Sequence, residues 1–218
     1  MLSSPDSLPF HYIAVDGPIG VGKTSLVELL ARRFEGVKLL EDVENPFLTD
    51  FYNDRAGSAF QTELYFLLTR FKQQQEIQQR GLFDRLLLAD YTFPKNRIFA
   101  YLNLSDAELM LFDKLYALLE PQIAVPDLII YLNADLKTCK ERIHRRARSA
   151  ERQIADDYLA ELLDAYAHYY HHYDGSPVLA VDTRNLNFVD RPEDFEELVH
   201  QLAQPLKGTR YYVPRGAA

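Results

Sequence analysis

The chain has one cysteine and no tryptophan among 218 residues. A single thiol excludes an intrachain disulfide, and Cys139 falls in a helical pattern where a buried, inert thiol is expected rather than a nucleophile. No apolar run approaches the roughly 18 residues that a membrane span requires. The opening "MLSSPDSLPF" lacks the cationic and apolar regions of a targeting peptide, so residues 1–10 are expected to form a loose arm. Positive charge is also outnumbered, with 24 Lys and Arg against 32 Asp and Glu, and the formal net charge of -8 argues against non-specific binding to nucleic acid or anionic membrane. These absences point to a cytoplasmic protein that binds small ligands, with neither nucleic acid nor membrane as partner.

What is present is globular. Apolar residues make up 47% of the chain and charged residues 26%, and the length suits one α/β domain over residues 1–218. Neither repeats nor a dividing linker interrupt it. Short apolar runs read as buried strands: "HYIAVDG", "VKLL", "RLLLAD" (85–90), "PDLIIYLNAD" (126–135) and "PVLAVD" (177–182). Helical spacing follows the first at "KTSLVELLARRF" and recurs over 59–79, 105–119, 136–147, 155–173 and 192–203. This alternation predicts a five-stranded parallel sheet with helices on both faces. Ligands of such sheets sit at the carboxyl ends of the strands, where Gly17, Glu41, Asp90, Asp135 and Asp182 all fall.

The segment "GPIGVGKT" (17–24) joins the first strand to the first helix. Gly17, Gly20 and Gly22 allow backbone N–H groups to turn in on phosphate oxygens, and the helix adds its positive N-terminal end. Lys23 is placed to reach the β- and γ-phosphates and the Thr24 hydroxyl to ligate Mg²⁺; Val21 and Ser25 complete the cradle. No guanine-reading motif follows, which favours ATP.

On the acceptor side, Glu41 lies just past the second strand, across the crevice from the loop. Phosphoryl transfer to a hydroxyl needs a carboxylate there to take the proton. In "RIHRRARSAER" (142–152), Arg142 and Arg146 are one helical turn apart and share a face, and Arg148 joins them if the helix breaks near 147–149. A lid of this kind would neutralise the transferring phosphoryl group and exclude water. The cluster "AYAHYYHHY" invites a metal reading, but no cysteine or carboxylate spacing completes one. Helix 105–119 is more apolar than one buried stripe requires, which suggests a homodimer.

The order of these segments resembles the deoxynucleoside kinases: "GPIGVGKT", Glu41 in "EDVENPF", "FYND", "FQTELYFLLTRFK", an aspartate-bearing strand, then "RIHRRARSAERQI". The resemblance spans residues 11–182 and implies a P-loop kinase fold with an arginine-bearing lid. It implies ATP as donor with Mg²⁺, a deoxynucleoside acceptor and dimerisation. Glu41 matches the catalytic base, Tyr52 and Glu151 the pair at the sugar 3′-hydroxyl, and Gln61 the glutamine that reads the base. Arg142, Arg146 and Arg148 match the lid arginines, with Arg142 and Arg146 catalytic and Arg146 and Arg148 on the nucleotide.

Three positions depart from the family pattern. The acidic-arginine-serine motif after the third strand aligns either at Asp84 and Arg85 or at Asp90 followed by Tyr91. The second is preferred because "LLLA" supplies the strand, and Asp90 would then assist Mg²⁺. Arginine function would pass to Lys95, Arg97 or the lid, with Asn96 in a base-reading position. Leu68, seven residues after Gln61, stands where some members carry arginine. Purine deoxynucleosides are slightly favoured. A nucleoside monophosphate kinase such as thymidylate kinase, or a P-loop regulatory module, remain the alternatives.

Overall fold

The computed structural model describes residues 7–53, 55, 57–79, 85–146 and 154–214. Strands β1 (Tyr12–Asp16), β2 (Val37–Leu39), β3 (Leu87–Ala89), β4 (Leu128–Asn133), β5 (Val178–Asp182) and β6 (Thr209–Tyr212) form one parallel sheet. Their order is β2-β3-β1-β4-β5-β6. Successive residues of a strand point to opposite faces, and β1 shows both faces covered: Ile13 and Val15 join one buried cluster, Tyr12 and Ala14 another. The sheet has six strands where five were expected. The sixth, "TRYY", alternates exposed and half-buried positions at the sheet edge, so no apolar run marked it.

Helices α1 (Lys23–Arg33), α3 (Ser58–Gln79), α5 (Asp106–Leu119), α6 (Leu136–Arg146), α7 (Asp156–His171) and α8 (Pro192–Leu202) fall where the spacing predicts. In α1, Leu26, Val27, Leu30 and Ala31 are buried. Each such leucine contributes about 1.5–3 kcal/mol by leaving water. Ser105 and Glu108 form a capping box that starts α5. Two helices lacked a sequence signature: α2 (Leu48–Tyr52) and α4 (Lys95–Asn103). In α4 the buried positions include Lys95 and Asn96, so polar side chains occupy the inner face that periodicity expects to be apolar. Of the arm expected over residues 1–10, Leu8 and Phe10 pack on the main core, and residues 1–6 lie outside the described residues.

Tyr166 and Tyr170 of "AYAHYYHHY" turn inward and stack on Tyr131, with ring centroids 6.5 and 4.2 Å away. On α5, Phe112 and Tyr116 are buried while Met110, Leu111 and Leu118 are more than half exposed.

β1 lies between β3 and β4, so the chain leaves β1 toward one side of the sheet and returns to build the other. That reversal opens a crevice at the carboxyl end of β1, and the loop 17–22 occupies it.

Candidate active site

The loop is shaped by its glycines. Gly17, Gly20 and Gly22 have φ of 142°, 83° and 109°. A Cβ on Gly17 would lie 2.3 Å from the Leu132 carbonyl oxygen, and one on Gly20 2.6 Å from that of Cys139, so both conformation and space demand glycine. Lys23 Nζ arches back to donate to the carbonyls of Gly17 and Pro18, each at 2.9 Å. Burial, then the nearby Lys95, lower its pKa to about 8. An arriving phosphate would relieve both costs.

Sequence reasoning passed over what lies beneath. Asp16 is fully buried and accepts from Gly17 N at 2.8 Å, Thr92 Oγ1 at 2.5 Å and Tyr170 OH at 2.6 Å. This carboxylate ties the start of the loop to the strand-end segment 90–95 and to α7.

A cleft of about 1110 Å³ runs along the loop. Its walls are Gly20 to Ser25, Arg142, Arg145 and Arg146 of α6, and the segment Leu186 to Asp190 after β5. Neither Arg145 nor that segment was anticipated. Arg142 requires a correction. Its guanidinium donates to the Val21 carbonyl and Thr183 Oγ1 at 2.9 Å each, and to the carbonyls of Thr183 and Leu186 at 2.7 and 3.2 Å. Four of its five N–H groups are thereby committed to protein oxygens, which makes it a clamp between α6, the phosphate loop and the segment after β5. Arg146 is exposed and borders both this cleft and the junction beyond it. Arg148 and Glu151 lie outside the described residues, as do Asp54 and Asp84.

The junction is walled by Gly22, Lys23, Thr24, Glu41, Asp90 and Lys95, among others. Asp90 follows β3 directly; its carboxylate accepts from Thr24 Oγ1 and from the Glu41 backbone N–H, both at 2.6 Å. Glu41 faces Lys95, whose Nζ lies 2.9 and 2.7 Å from its two oxygens. Arg70 of α3 also pairs with it, with Nε at 3.0 Å. All three side chains are nearly buried, at 12% exposure for Glu41, 6% for Lys95 and 4% for Arg70. Burial alone would raise the Glu41 pKa, but Lys95 and Arg70 outweigh it and hold the carboxyl well below the usual range.

Past Glu41 opens a second cavity of about 730 Å³, mostly aromatic and aliphatic, where Tyr52, Phe66, Phe99 and Tyr158 line the walls. Its polar groups are Glu41, Arg70, Lys95, Thr62 and Glu63. Gln61 is exposed and Leu68 is 49% exposed; neither borders this cavity. The reason is rotation: two residues along a helix turn the side chain by about 200°. Gln61 and Leu68, seven apart, share an outer face, whereas Glu63 and Arg70, also seven apart, share the inner one. The arginine missing at Leu68 is thus present two residues on. Asn96 is fully buried and holds Arg70 through its side-chain oxygen rather than lining the cavity. Arg97 points elsewhere, to Tyr101 OH at 2.9 Å and Asp113 at 3.4 Å. A residue seven before a buried arginine was the available signal for Glu63.

A phosphate loop at the switch point of a parallel sheet, opening through a carboxylate-bearing junction onto a largely aromatic and aliphatic cavity, defines a phosphotransferase with a small acceptor. The chain belongs to the deoxynucleoside kinase family, whose model matches residues 13–207. It is 37% identical over 199 residues to deoxyguanosine kinase of Bacillus subtilis, covering 88% of this chain and 96% of that one. It is 37% identical over 164 residues to deoxyadenosine kinase of Dictyostelium discoideum, covering 73% and 66%. The solved structure of deoxyadenosine kinase from M. mycoides with bound dATP superposes with a TM-score of 0.76 at 26% identity, covering 88% and 99%. The protein is a kinase that phosphorylates deoxynucleosides with ATP as donor. Among the described residues no helix is long and apolar enough to cross a membrane.

Proposed function

We propose that the chain transfers the γ-phosphoryl group of ATP to the 5′-hydroxyl of a purine deoxynucleoside, with Glu41 accepting the proton. The observation that carries this reading is the position of Glu41, at the junction between the loop-lined cleft and the aromatic cavity. ATP would lie with its phosphates on residues 17–25 and its remainder along Arg142 and the segment after β5. Lys23 would leave its two carbonyl partners for phosphate oxygens, and Arg146 would approach the transferring group.

Glu41 is held as a carboxylate by Lys95 and Arg70, so in the resting site it is a weak base. The nucleoside hydroxyl becomes acidic as its bond to phosphorus forms, and a positioned carboxylate can accept the proton late in that loose transition state. Among the described residues both cations lining the acceptor cavity, Arg70 and Lys95, are already paired with Glu41, so neither is a ready counter-charge for an anionic monophosphate acceptor. That favours a neutral hydroxyl acceptor over a nucleoside monophosphate.

The hydroxyl and carboxylate oxygens of Thr24 and Asp90 form a hard donor set that suits Mg²⁺. Thr24 would hold the ion directly and Asp90 through water; once bound, Mg²⁺ neutralises charge on the β- and γ-phosphates. Tyr52, with Glu151, would meet the sugar 3′-hydroxyl. The purine preference agrees with the names of the curated relatives. The apolar residues exposed on α5 support a homodimer, for which a monomeric sedimentation mass would be the contrary result. One cytoplasmic domain acting on small molecules, with no nucleic acid or membrane partner, completes the reading.

The test is ADP release from Mg-ATP with each of the four deoxynucleosides and, separately, each of their monophosphates. Purine deoxynucleosides are expected to turn over; turnover with monophosphates alone would overturn the assignment of Glu41.

A further inference from the structure

Glu63 is a buried carboxyl with no part in the chemistry at Glu41. It is 2% exposed, lines the acceptor cavity, and accepts a hydrogen bond from Asn103 Nδ2 at 2.7 Å. Beside it on α3 the Thr62 hydroxyl, also in the cavity wall, is buried with no hydrogen-bond partner among the described residues. These two polar groups, separate from the Glu41–Lys95–Arg70 cluster in the wall of a largely aromatic and aliphatic pocket, call for a ligand with polar edges. Glu63 lies two helical turns before Arg70, about 10 Å along α3 from the residue that pairs with Glu41. That separation suits a nucleoside with its 5′-hydroxyl at Glu41 and its base edge at Glu63.

We propose that Glu63 selects the base, and that the preferred acceptor is a 6-oxopurine deoxynucleoside carrying a 2-amino group. This deepens the kinase reading and rests on it. The edge of such a base presents a ring N–H and an exocyclic N–H side by side, two donors that an ionised carboxylate receives as a fork. The Thr62 hydroxyl is left to meet a remaining base acceptor. A 6-aminopurine or a cytosine instead presents an amino group next to a bare ring nitrogen, which a carboxylate repels. Such an edge is satisfied only by a protonated carboxyl or an amide.

The surroundings set how the selection responds to pH. Burial raises the Glu63 pKa to about 7, opposed by the Asn103 hydrogen bond and by the charges of Arg70 and Lys95 and reinforced by Glu41. Tyr158 of α7 and Tyr52 of α2 complete the titratable groups on the cavity walls. Across neutral pH the site therefore passes from an acid that accommodates adenine-type edges to a carboxylate that takes the two-donor edge.

The experiment measures kcat/KM for deoxyguanosine and deoxyadenosine from pH 6 to 8.5 in the wild-type protein and in Glu63→Gln. Taking the ratio of the two substrates cancels any pH dependence of the shared chemistry. The ratio is expected to rise with pH in the wild type, to fall roughly 10- to 100-fold in Glu63→Gln, and to lose its pH dependence there. The change should lie mainly in KM. Parallel pH profiles in the wild type, which need no variant, or an unchanged ratio in Glu63→Gln overturn the proposal while leaving the kinase intact. No turnover of any nucleoside would sink the kinase reading and this proposal together.

Discussion

Replacing Glu41 with glutamine tests the centre of the site in two independent ways. The amide keeps the shape but cannot take a proton, so kcat should fall by about 10²- to 10⁴-fold, the usual worth of a positioned base. It also strands two cations. Lys95 and Arg70 are only 6% and 4% exposed and both direct their charge at Glu41. Removing one member of a buried ion pair typically costs about 3–5 kcal/mol; the retained amide oxygen still accepts from both donors, so a loss at the lower end is expected. Adding Lys95→Met to Glu41→Gln removes one stranded charge and should recover part of the stability without recovering activity. The assays are thermal unfolding and coupled ADP release with deoxyguanosine. Turnover in Glu41→Gln within about tenfold of the wild type would refute Glu41 as the base. A double variant less stable than Glu41→Gln would refute the charge argument.

Two further outcomes are expected. Arg142→Ala removes a guanidinium that donates to four oxygens on the loop and after β5. It should raise the KM for ATP and lower stability by about 2–4 kcal/mol, with less effect on the nucleoside KM; an unchanged melting temperature would mean the clamp carries no strain. Glu63 has a folded pKa raised to about 7 from a reference value of 4.5. Its contribution is therefore fully present below pH 4.5 and lost as pH rises through 7, roughly 3 kcal/mol in all. Glu63→Gln should flatten that decline in denaturant titrations, and an equal decline in both proteins would contradict it.

The phosphate loop was legible because its requirements are local. Glycines at left-handed φ, a lysine and a hydroxyl all fall within eight consecutive residues, 17 to 24, directly after the end of β1. The positions of Glu41 and Asp90 were legible because each lies just past a strand, Asp90 directly after the buried β3 and Glu41 two residues beyond the half-buried β2. The wall that α3 gives the acceptor cavity was not, although Glu41 and Tyr52 line that cavity as expected, because "FQTELYFLLTR" offers polar residues on several helix faces and the motif match selected Gln61. Which face turns inward depends on what packs around α3, and nothing within the helix states it. The lid arginines illustrate the same gap: adjacent turns place Arg142 and Arg146 together, but the carbonyls that engage Arg142 come from segments 121 and 41 to 44 residues away in sequence.

Consecutive residues thus settle the parallel α/β class, the phosphate cradle and the strand-end carboxylates, since backbone geometry and burial are written over a few positions at a time. Folding supplies the rest. Lys95 and Arg70 neutralise Glu41 across 54 and 29 residues of chain, Glu63 rather than Gln61 faces the acceptor, Arg142 becomes a clamp, and "TRYY" finds an edge on β5. A buried charge needs a partner at atomic distance. The rotation of a helix about its axis, which brings such partners together, is fixed by contacts that no short stretch of sequence contains.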